Sequence, residues 1–462
     1  GDKTTIDVTL KEVANTMNEV VVTALGIKRA EKALSYNVQS VGSNELTRNK
    51  DANFVNSLNG KVAGVNISKS GSGVGGATRV IMRGAKSIEG DNNVLYVIDG
   101  IPIFNFSGGR DSGIMGEGRV SSEGIADLNP EDIESISVLA GPSAAALYGS
   151  NAANGAILIT TKKGKEGRVD ISFSSSADFS SPLLMPEFQN TYGNKLGSYE
   201  SWGEKLATPS SYDPKKDFFR TGTNFINALT LNMGNEFNQT FASVATTNSR
   251  GIVPNNTYDR YNFTIRNTTR MFKNKVQLDL GASYIKQKDN NMVSQGEYWN
   301  PIVAAYLFPR GESFEGIKTF ERYDNVRNFP TQYWPISDSR FANQNPYWTA
   351  YRNLAPDDKD RFMFNAGLTY NIFDWLSVAG RIRLDKTFIT SERKIYASSF
   401  NYFAKEKGAY DYYDYKDHQT YIDAIANINK TFGKFSLAAN VGYSYSDYAS
   451  LTRGYGGNLV LV

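Results

Sequence analysis

Residues Val138–Gly164 read VLAGPSAAALYGSNAANGAILITTKKG. Ile136 to Leu139 are apolar or β-prone and predict a short buried strand. Gly141-Pro142 stops it and opens a helix of two turns, since proline at the first helical position lacks only a donor that would be unpaired anyway. Ala144, Ala145, Ala146 and Leu147 carry that helix, and Gly149 suits its C-cap. Ala156 to Thr161 then predict a second strand, and Lys162-Lys163-Gly164 closes the unit. A generic Gly/Ala-rich turn is the plainer alternative for the same run.

The composition limits what such a unit can belong to. The chain has 462 residues, with 50 Lys plus Arg against 47 Asp plus Glu, a balance that gives no footprint for nucleic acid. Cysteine is absent and His418 is the one histidine, so thiolate chemistry and multi-histidine metal sites are excluded and no cofactor is expected. Mean hydropathy is −0.41 and no apolar run approaches the length of a membrane helix. Transmembrane β-strands remain open, because their lipid-facing and lumen-facing residues alternate and average out as soluble. Phe and Tyr (26 and 27) and Gly (41) suit aromatic girdles and tight turns.

Upstream, Ile6, Val8 and Leu10 alternate with polar residues, as at the end of a small β-domain over 1–16. Residues 17–27 hold Glu19, Val20, Val21, Val22, Thr23, Ala24 and Leu25, a strong strand former followed by basic and polar side chains. It reads either as a buried strand or as a segment that pairs with another protein by strand addition. Ala52 to Leu58 predict a short helix with Phe54, Val55 and Leu58 inward, and Lys61 to Ile67 a strand. Gly71, Gly73 and Gly76 satisfy G-x-G-x-x-G, yet an extended RVIMR run follows and not a helix, so no helix N-terminus meets a pyrophosphate. They predict a flexible loop between strands. Leu95 to Pro102 read LYVIDGIP, a hairpin about Asp99-Gly100. Asp99, Glu131, Asp132 and Glu134 could be read as catalytic carboxylates, but a turn residue and helix caps explain them better.

These motifs closely resemble the plug domain of TonB-dependent outer-membrane transporters. The Gly141, Pro142, Tyr148, Gly149 and Gly155 positions resemble its final segment. Val80 to Gly84, with Arg83 and Gly84, and the Asp99-Gly100 hairpin resemble SusC-like plugs. EVVVTALG resembles their TonB box, which implies a coupling site at Glu19 to Leu25. The plug is expected over 28–166.

From residue 167 the period becomes a strict two. Val169, Ile171 and Phe173 oppose Asp170, Ser172 and Ser174; Phe263 and Ile265 oppose Asn262, Thr264 and Arg266; Val378 and Ile382 oppose Ser377, Arg381 and Arg383. Nine strands are expected, near 168–179, 223–233, 237–247, 257–269, 275–287, 361–372, 375–387, 419–431 and 434–446. Tight turns near Gly234-Asn235, Phe272-Lys273-Asn274, Phe373-Asp374 and Phe432-Gly433 alternate with long connections, the asymmetry of outer-membrane barrels. A soluble sandwich would turn its apolar face inward on shorter strands. The expected fold is therefore mostly β: an α+β plug inside a large antiparallel transmembrane barrel spanning 167–462 and beyond. Nine strands are too few to enclose such a plug and odd in number, where a plugged transporter has about 22. The chain is accordingly read as the N-terminal part of a longer barrel, or as only part of it.

The long connections are aromatic and polar, and Trp299, Trp334, Trp348, Tyr413, Asp414 and Tyr415 are candidates for stacking on sugar faces and accepting from sugar hydroxyls. Interfacial aromatics and loop packing are the alternative. The resemblance implies active import of oligosaccharides across the outer membrane of a Gram-negative bacterium, with no enzymatic step. The implied partners are TonB on the periplasmic side, a SusD-like lipoprotein lid outside and membrane lipid around the wall, with a dimer of transporter–lid pairs as a further expectation. Alternatives are a peptide importer of the same family, a siderophore or cobalamin receptor and, in another class, a surface adhesin or glycan-binding β-protein.

Overall fold

The computed structural model describes residues 20–22, 28–30, 38–88, 92–103, 107–109, 118, 120–337, 344–433 and 435–460. The expected strand at Ile6–Leu10, and Glu19, Thr23, Ala24 and Leu25, lie outside the described residues. β1 (Val20–Val22) pairs antiparallel with β2 (Lys28–Ala30), Val21 opposite Arg29.

The plug is built on β3 (Val38–Gly42), β4 (Val65–Lys69), β5 (Thr78–Met82), β6 (Leu95–Ile98), β7 (Ile101–Ile103), β8 (Ser107–Gly109), β9 (Val120–Glu123), β10 (Ile133–Leu139) and β11 (Ala156–Thr161). Five of these form one sheet in the order β3-β10-β11-β6-β7, with β4–β5 and β8–β9 as separate pairs. β11 runs parallel to β6, and the other contacts in the sheet are antiparallel. Strand alternation explains why β11 is apolar from Ala156 to Ile159. Ile157 and Ile159 enter a core with Phe54, Val55 and Leu58 of a short 3-10 helix. Ala156 and Leu158 enter a second core with Ala144, Leu147 and Tyr148 of the Gly141–Tyr148 helix. A sheet covered on both faces must be apolar on both, and each buried Ile or Leu contributes roughly 1.5–3 kcal/mol.

The decisive stretch folds as its residues dictate. β11 spans the expected residues, while β10 starts at Ile133, ahead of Ile136. Pro142 sits in the first helical turn, and the Gly149 N–H closes the helix on Ala145 O at 2.8 Å. Gly155 is obligatory. Its φ is +105°, and a Cβ would stand 2.4 Å from Met82 Sδ and 3.0 Å from Leu139 O. Asp99 and Gly100, with φ of 51° and 79°, make the tight turn joining β6 to β7.

Nine long strands follow: β12 (Gly167–Ser180), β13 (Gly222–Gly234), β14 (Asn238–Arg250), β15 (Thr257–Met271), β16 (Val276–Asn290) and, after a long insertion, four more. The insertion carries a hairpin of β17 (Glu321–Asp324) and β18 (Phe329–Gln332) and the short β19 (Asn353–Leu354). β20 (Pro356–Phe373), β21 (Leu376–Ile395), β22 (Ala409–Phe432) and β23 (Phe435–Asn458) complete the wall. Spatial order equals chain order and every neighbouring pair is antiparallel, with β19 added beside β21. Among the described residues β12 and β23 each pair with one neighbour, so the wall is an open, curved sheet.

The wall is turned inside out relative to a soluble protein. On β15, Tyr258, Arg260 and Asn262 are buried while Phe263 and Ile265 are 47% and 53% exposed. Phe173, Leu368 and Val441 lie on the same outer surface. An apolar exterior around a polar interior is the pattern of a wall in lipid. No described helix is long and apolar enough to cross a membrane, which says nothing of strands.

Two expectations need correcting. The strands overrun their expected ends, most of all β22, which begins at Ala409 rather than near 419, and β23, which runs to Asn458 rather than near 446. Tyr410 to His418, expected in a loop, is strand. At 24 residues, β22 and β23 are on the order of 80 Å long, far more than a tilted strand needs to cross a hydrocarbon layer of about 25 Å. Beyond lipid the outer face no longer has to be apolar, which removes the signal that marks a membrane strand. The second correction concerns Lys61 to Gly64, which form turns, so that β4 starts only at Val65.

Candidate functional site: the seam between plug and wall

The main contact between plug and wall is polar and is built by two short turns. Gly124–Asp127 and Pro130–Asp132 are 3-10 turns on either side of Asn129, whose side chain accepts from the Glu131 N–H. They leave carbonyls and carboxylates pointing outward, where period two on β15, β20 and β21 brings the inward-facing polar residues to meet them. Lys359 Nζ lies 2.6 Å from Asp127 Oδ1, and Arg361 Nη1 2.8 Å from Asp127 Oδ2. Arg361 turns its other edge to Asp385, at 2.9 and 2.6 Å, as a two-pronged pair. Asn262 Nδ2 donates to Asp127 O at 2.6 Å; Arg260 donates to Ala126 O and Arg361 to Gly124 O. All these side chains are buried. Burial pushes the Asp127 carboxyl up, but Lys359 and Arg361 outweigh it and hold its pKa below the usual aspartate value.

The neighbouring acids are used in the same way. Ser243 Oγ donates to Asp132 Oδ1 at 2.6 Å, and Lys50 pairs with Glu131 at 2.7 Å. Of the acids expected to cap a helix, the capping residue is Asn129; Glu131 and Asp132 serve tertiary pairing instead, and Glu134 is exposed. Asp99 is the turn residue expected, and its carboxylate accepts from the Thr161 N–H at 2.9 Å and Thr161 Oγ1 at 2.8 Å. Its carbonyl accepts from Arg381 on β21 at 3.1 Å, while Arg381 also pairs with Asp423. Arg83 and Gly84, with φ of 56° and 85°, end β5, and the Arg83 N–H returns to Gly64 O at 2.9 Å.

The glycine loop expected to be flexible is docked. A Cβ on Gly75 would fall 2.1 Å from the Tyr258 ring, so the loop's backbone lies directly on the wall. Val293 N–H donates to Ser72 O at 3.0 Å, and Gln295 Nε2 to Ser72 Oγ at 2.9 Å. Close approach, rather than freedom, explains glycine here.

At the end of the wall away from the tight turns, residues 181–221, 251–256, 291–355 and 396–408 connect the strands. The first three share a core of Tyr212, Phe218, Val253, Phe308, Phe314 and Ile317, and the fourth packs through Ala404 in a separate cluster. Trp348 is 1% exposed and its indole N–H donates to Ser399 Oγ at 2.9 Å; Trp299 is likewise buried, against Ile395 and Ala404. These two hold the loops together rather than facing a ligand. Trp334 is half-buried, its indole N–H on the Tyr199 hydroxyl at 3.0 Å. Tyr413, Asp414 and Tyr415 do not converge. On β22 the buried Asp417, Gln419, Tyr421 and Asp423 face inward, so alternation puts Tyr413 and Tyr415 on the inner face and Asp414 on the outer. Asp414 accepts there from Thr390 Oγ1 at 2.9 Å.

Sequence reasoning missed Asp127, Lys359, Arg361 and Asp385. Their signal was present: ionisable residues on the polar face of a membrane-depth strand need partners, and the wall alone does not supply enough of them. Of the expected coupling segment, Val20–Val22 is described, as a strand already paired on one edge with Lys28–Ala30.

Residues 30–156 match the TonB-dependent receptor plug domain. The chain is 30% identical over 353 residues to the TonB-dependent receptor SusC of Bacteroides thetaiotaomicron, covering 74% of this chain and 32% of that relative. It is 39% identical over 129 residues to the ferrienterobactin receptor of Escherichia coli, covering 28% and 16%. The fold is similar to that of the RagAB peptide importer in its closed-closed state, with a TM-score of 0.69 at 20% identity, covering 92% of this chain and 49% of that one. The chain thus spans about a third of the length of SusC and half of the RagAB chain. With an outward apolar wall, an inward polar seam and a plug that matches by sequence and by fold, the chain belongs to the SusC-like TonB-dependent receptors of the Gram-negative outer membrane, to which it contributes a plug domain and nine strands of barrel wall.

Proposed function

We propose that the whole protein imports oligosaccharides actively across the outer membrane, coupled to TonB through Glu19 to Leu25. The observation that carries this reading is the seam itself. The plug is held to the wall by hydrogen bonds and ion pairs at Asp127, Asp132 and Asp99, while most apolar packing lies inside the plug and on the lipid face, with Met363 of β20 also packed against the plug core. A barrier bound in this way can be displaced while remaining folded or partly folded, because water can replace each contact. The short β1 strand of three valines supports coupling by strand addition, since main-chain pairing needs an extended, β-prone segment.

A SusD-like lipoprotein acts as the extracellular lid. Three of the loops at that end pack on a common aromatic core and offer an ordered platform for a protein partner. No covalent step on the substrate is involved. A peptide is the second candidate substrate, favoured by the likeness to a peptide importer.

The test is uptake of labelled oligosaccharides and peptides by cells expressing the full-length protein, with residues 19–25 intact or deleted. Loss of uptake with surface expression retained supports coupling at this segment. Unchanged uptake makes β1 a structural strand only and removes energised import through it.

A further inference from the structure

Below the Asp127 cluster, towards the tight turns, a cavity of about 1280 Å³ lies between the Asp99 turn of the plug and the inner face of the wall. Its lining is mixed, and the polar side chains on it include Asp99, Thr161, Arg266, Asn365, Arg381 and Arg383. Arg266, Gly281, Asn365 and Arg383 stand in one row across β15, β16, β20 and β21, each paired with the next. The two middle residues are short, so the row is a shallow saddle with a guanidinium at each end.

Arg383 is only 5% exposed, yet among the described residues its guanidinium makes one hydrogen bond, to Ile98 O at 3.3 Å. The two acids that act on it are both committed elsewhere. Asp99 accepts from Thr161, and Asp385 is held on two prongs by Arg361. Arg266 has no carboxylate within ion-pair distance among the described residues; it donates weakly to Lys162 O at 3.4 Å and lies over the Phe241 ring. Its charge adds to that at Arg383 instead of relieving it. By contrast Arg361 and Arg381, on the same inner face, each have a partner carboxylate at 2.6 and 2.5 Å. A buried guanidinium fork without an anion is costly, and its planar geometry matches a carboxylate or sulfate.

We propose that the saddle between Arg266 and Arg383 is an anion subsite on the route past the plug, and that the transported saccharide carries an acidic group, a uronate carboxylate or a sulfate ester, which these arginines receive. The inference rests on the import reading and specifies its substrate class. Asn365, between the two, supplies an amide for a neighbouring hydroxyl. The Asp99 turn forms the roof, so the site opens fully when the plug moves.

The test is calorimetric binding to the detergent-solubilised full-length protein. The probes are digalacturonate, cellobiose as the neutral counterpart, and inorganic sulfate. The expected result is that digalacturonate binds more tightly than cellobiose, competes with sulfate and weakens with added salt. Arg383→Gln and Arg266→Gln each reduce digalacturonate affinity at least tenfold and leave cellobiose unchanged, and Arg383→Lys restores part of the loss. Thermal melts of the variants at the wild-type midpoint exclude misfolding; the half-buried Arg266→Gln carries the test if Arg383→Gln melts early. Equal binding of acidic and neutral disaccharides overturns the proposal, as does sulfate binding that digalacturonate does not displace. The measurement needs no TonB, so its failure leaves the import reading to be judged by deletion of residues 19–25.

Discussion

Asp127 carries more of the seam than any other side chain, because both its carboxylate oxygens and its carbonyl are engaged by three wall residues. Asp127→Asn keeps the shape and removes the charge, leaving Lys359 buried without an anion. Breaking a buried pair of this kind costs about 3–5 kcal/mol, so the urea midpoint for plug unfolding in the full-length protein falls clearly, while a wall reporter is unchanged. The pH dependence follows from the sign of the shift. The folded pKa lies below the unfolded value of about 3.9, so the contribution is complete above that value and is lost only as pH falls through the folded pKa. Plug stability measured from pH 7 to 5 therefore shows no loss from this group; a decline already at pH 6 would contradict the assignment. None of this was legible from Asp127 itself, which sits among Gly124, Leu128 and Asn129 like any turn residue. Its role depends on strands more than two hundred residues away.

Among the elements, β22 separates what a pattern conveys from what it hides. From about residue 419 onward the alternation of apolar and polar residues marks lipid and lumen. Before it, the run Tyr410 to His418 keeps the period of a strand but is polar or aromatic on both faces, so nothing in its composition distinguishes strand from loop. The structure restores the alternation and with it a functional distinction. Tyr413→Ala, on the inner face, is expected to raise the half-saturation of uptake several-fold, whereas Asp414→Asn, on the outer face, leaves it within twofold. Equal effects would remove the facing argument. The plug elements were easier to read, since Pro142, Gly149, Gly155 and the Asp99-Gly100 turn are fixed by backbone geometry that few other residues satisfy.

For the whole molecule, the arrangement of surfaces decides solubility. Val169, Ile171, Phe173, Leu437, Val441 and Tyr443 are exposed on the outer face of the wall and form no part of either plug core. The full-length protein is therefore expected to stay dispersed only in detergent or lipid and to precipitate when detergent is removed; a protein soluble without it would be an adhesin or glycan-binding domain. The inward-turned polarity that predicts this was readable from periodicity alone, whereas the seam and the cavity required the plug and wall to be placed together.

The position of β3 at the margin of the plug sheet, paired among the described residues with β10 as its one neighbouring strand, gives the domain a mechanical sequence. Tension entering from the amino-terminal side reaches Val38–Gly42 before any other sheet element. That strand behaves as a fuse: it can strip away while β10, β11, β6 and β7 remain joined and Asp127 stays clamped. In an optical trap, with a handle ahead of Val20 and the wall fixed, the extension trace should show a small first step at low load. A larger rupture should follow at higher load, and Asp127→Asn should lower the second without moving the first.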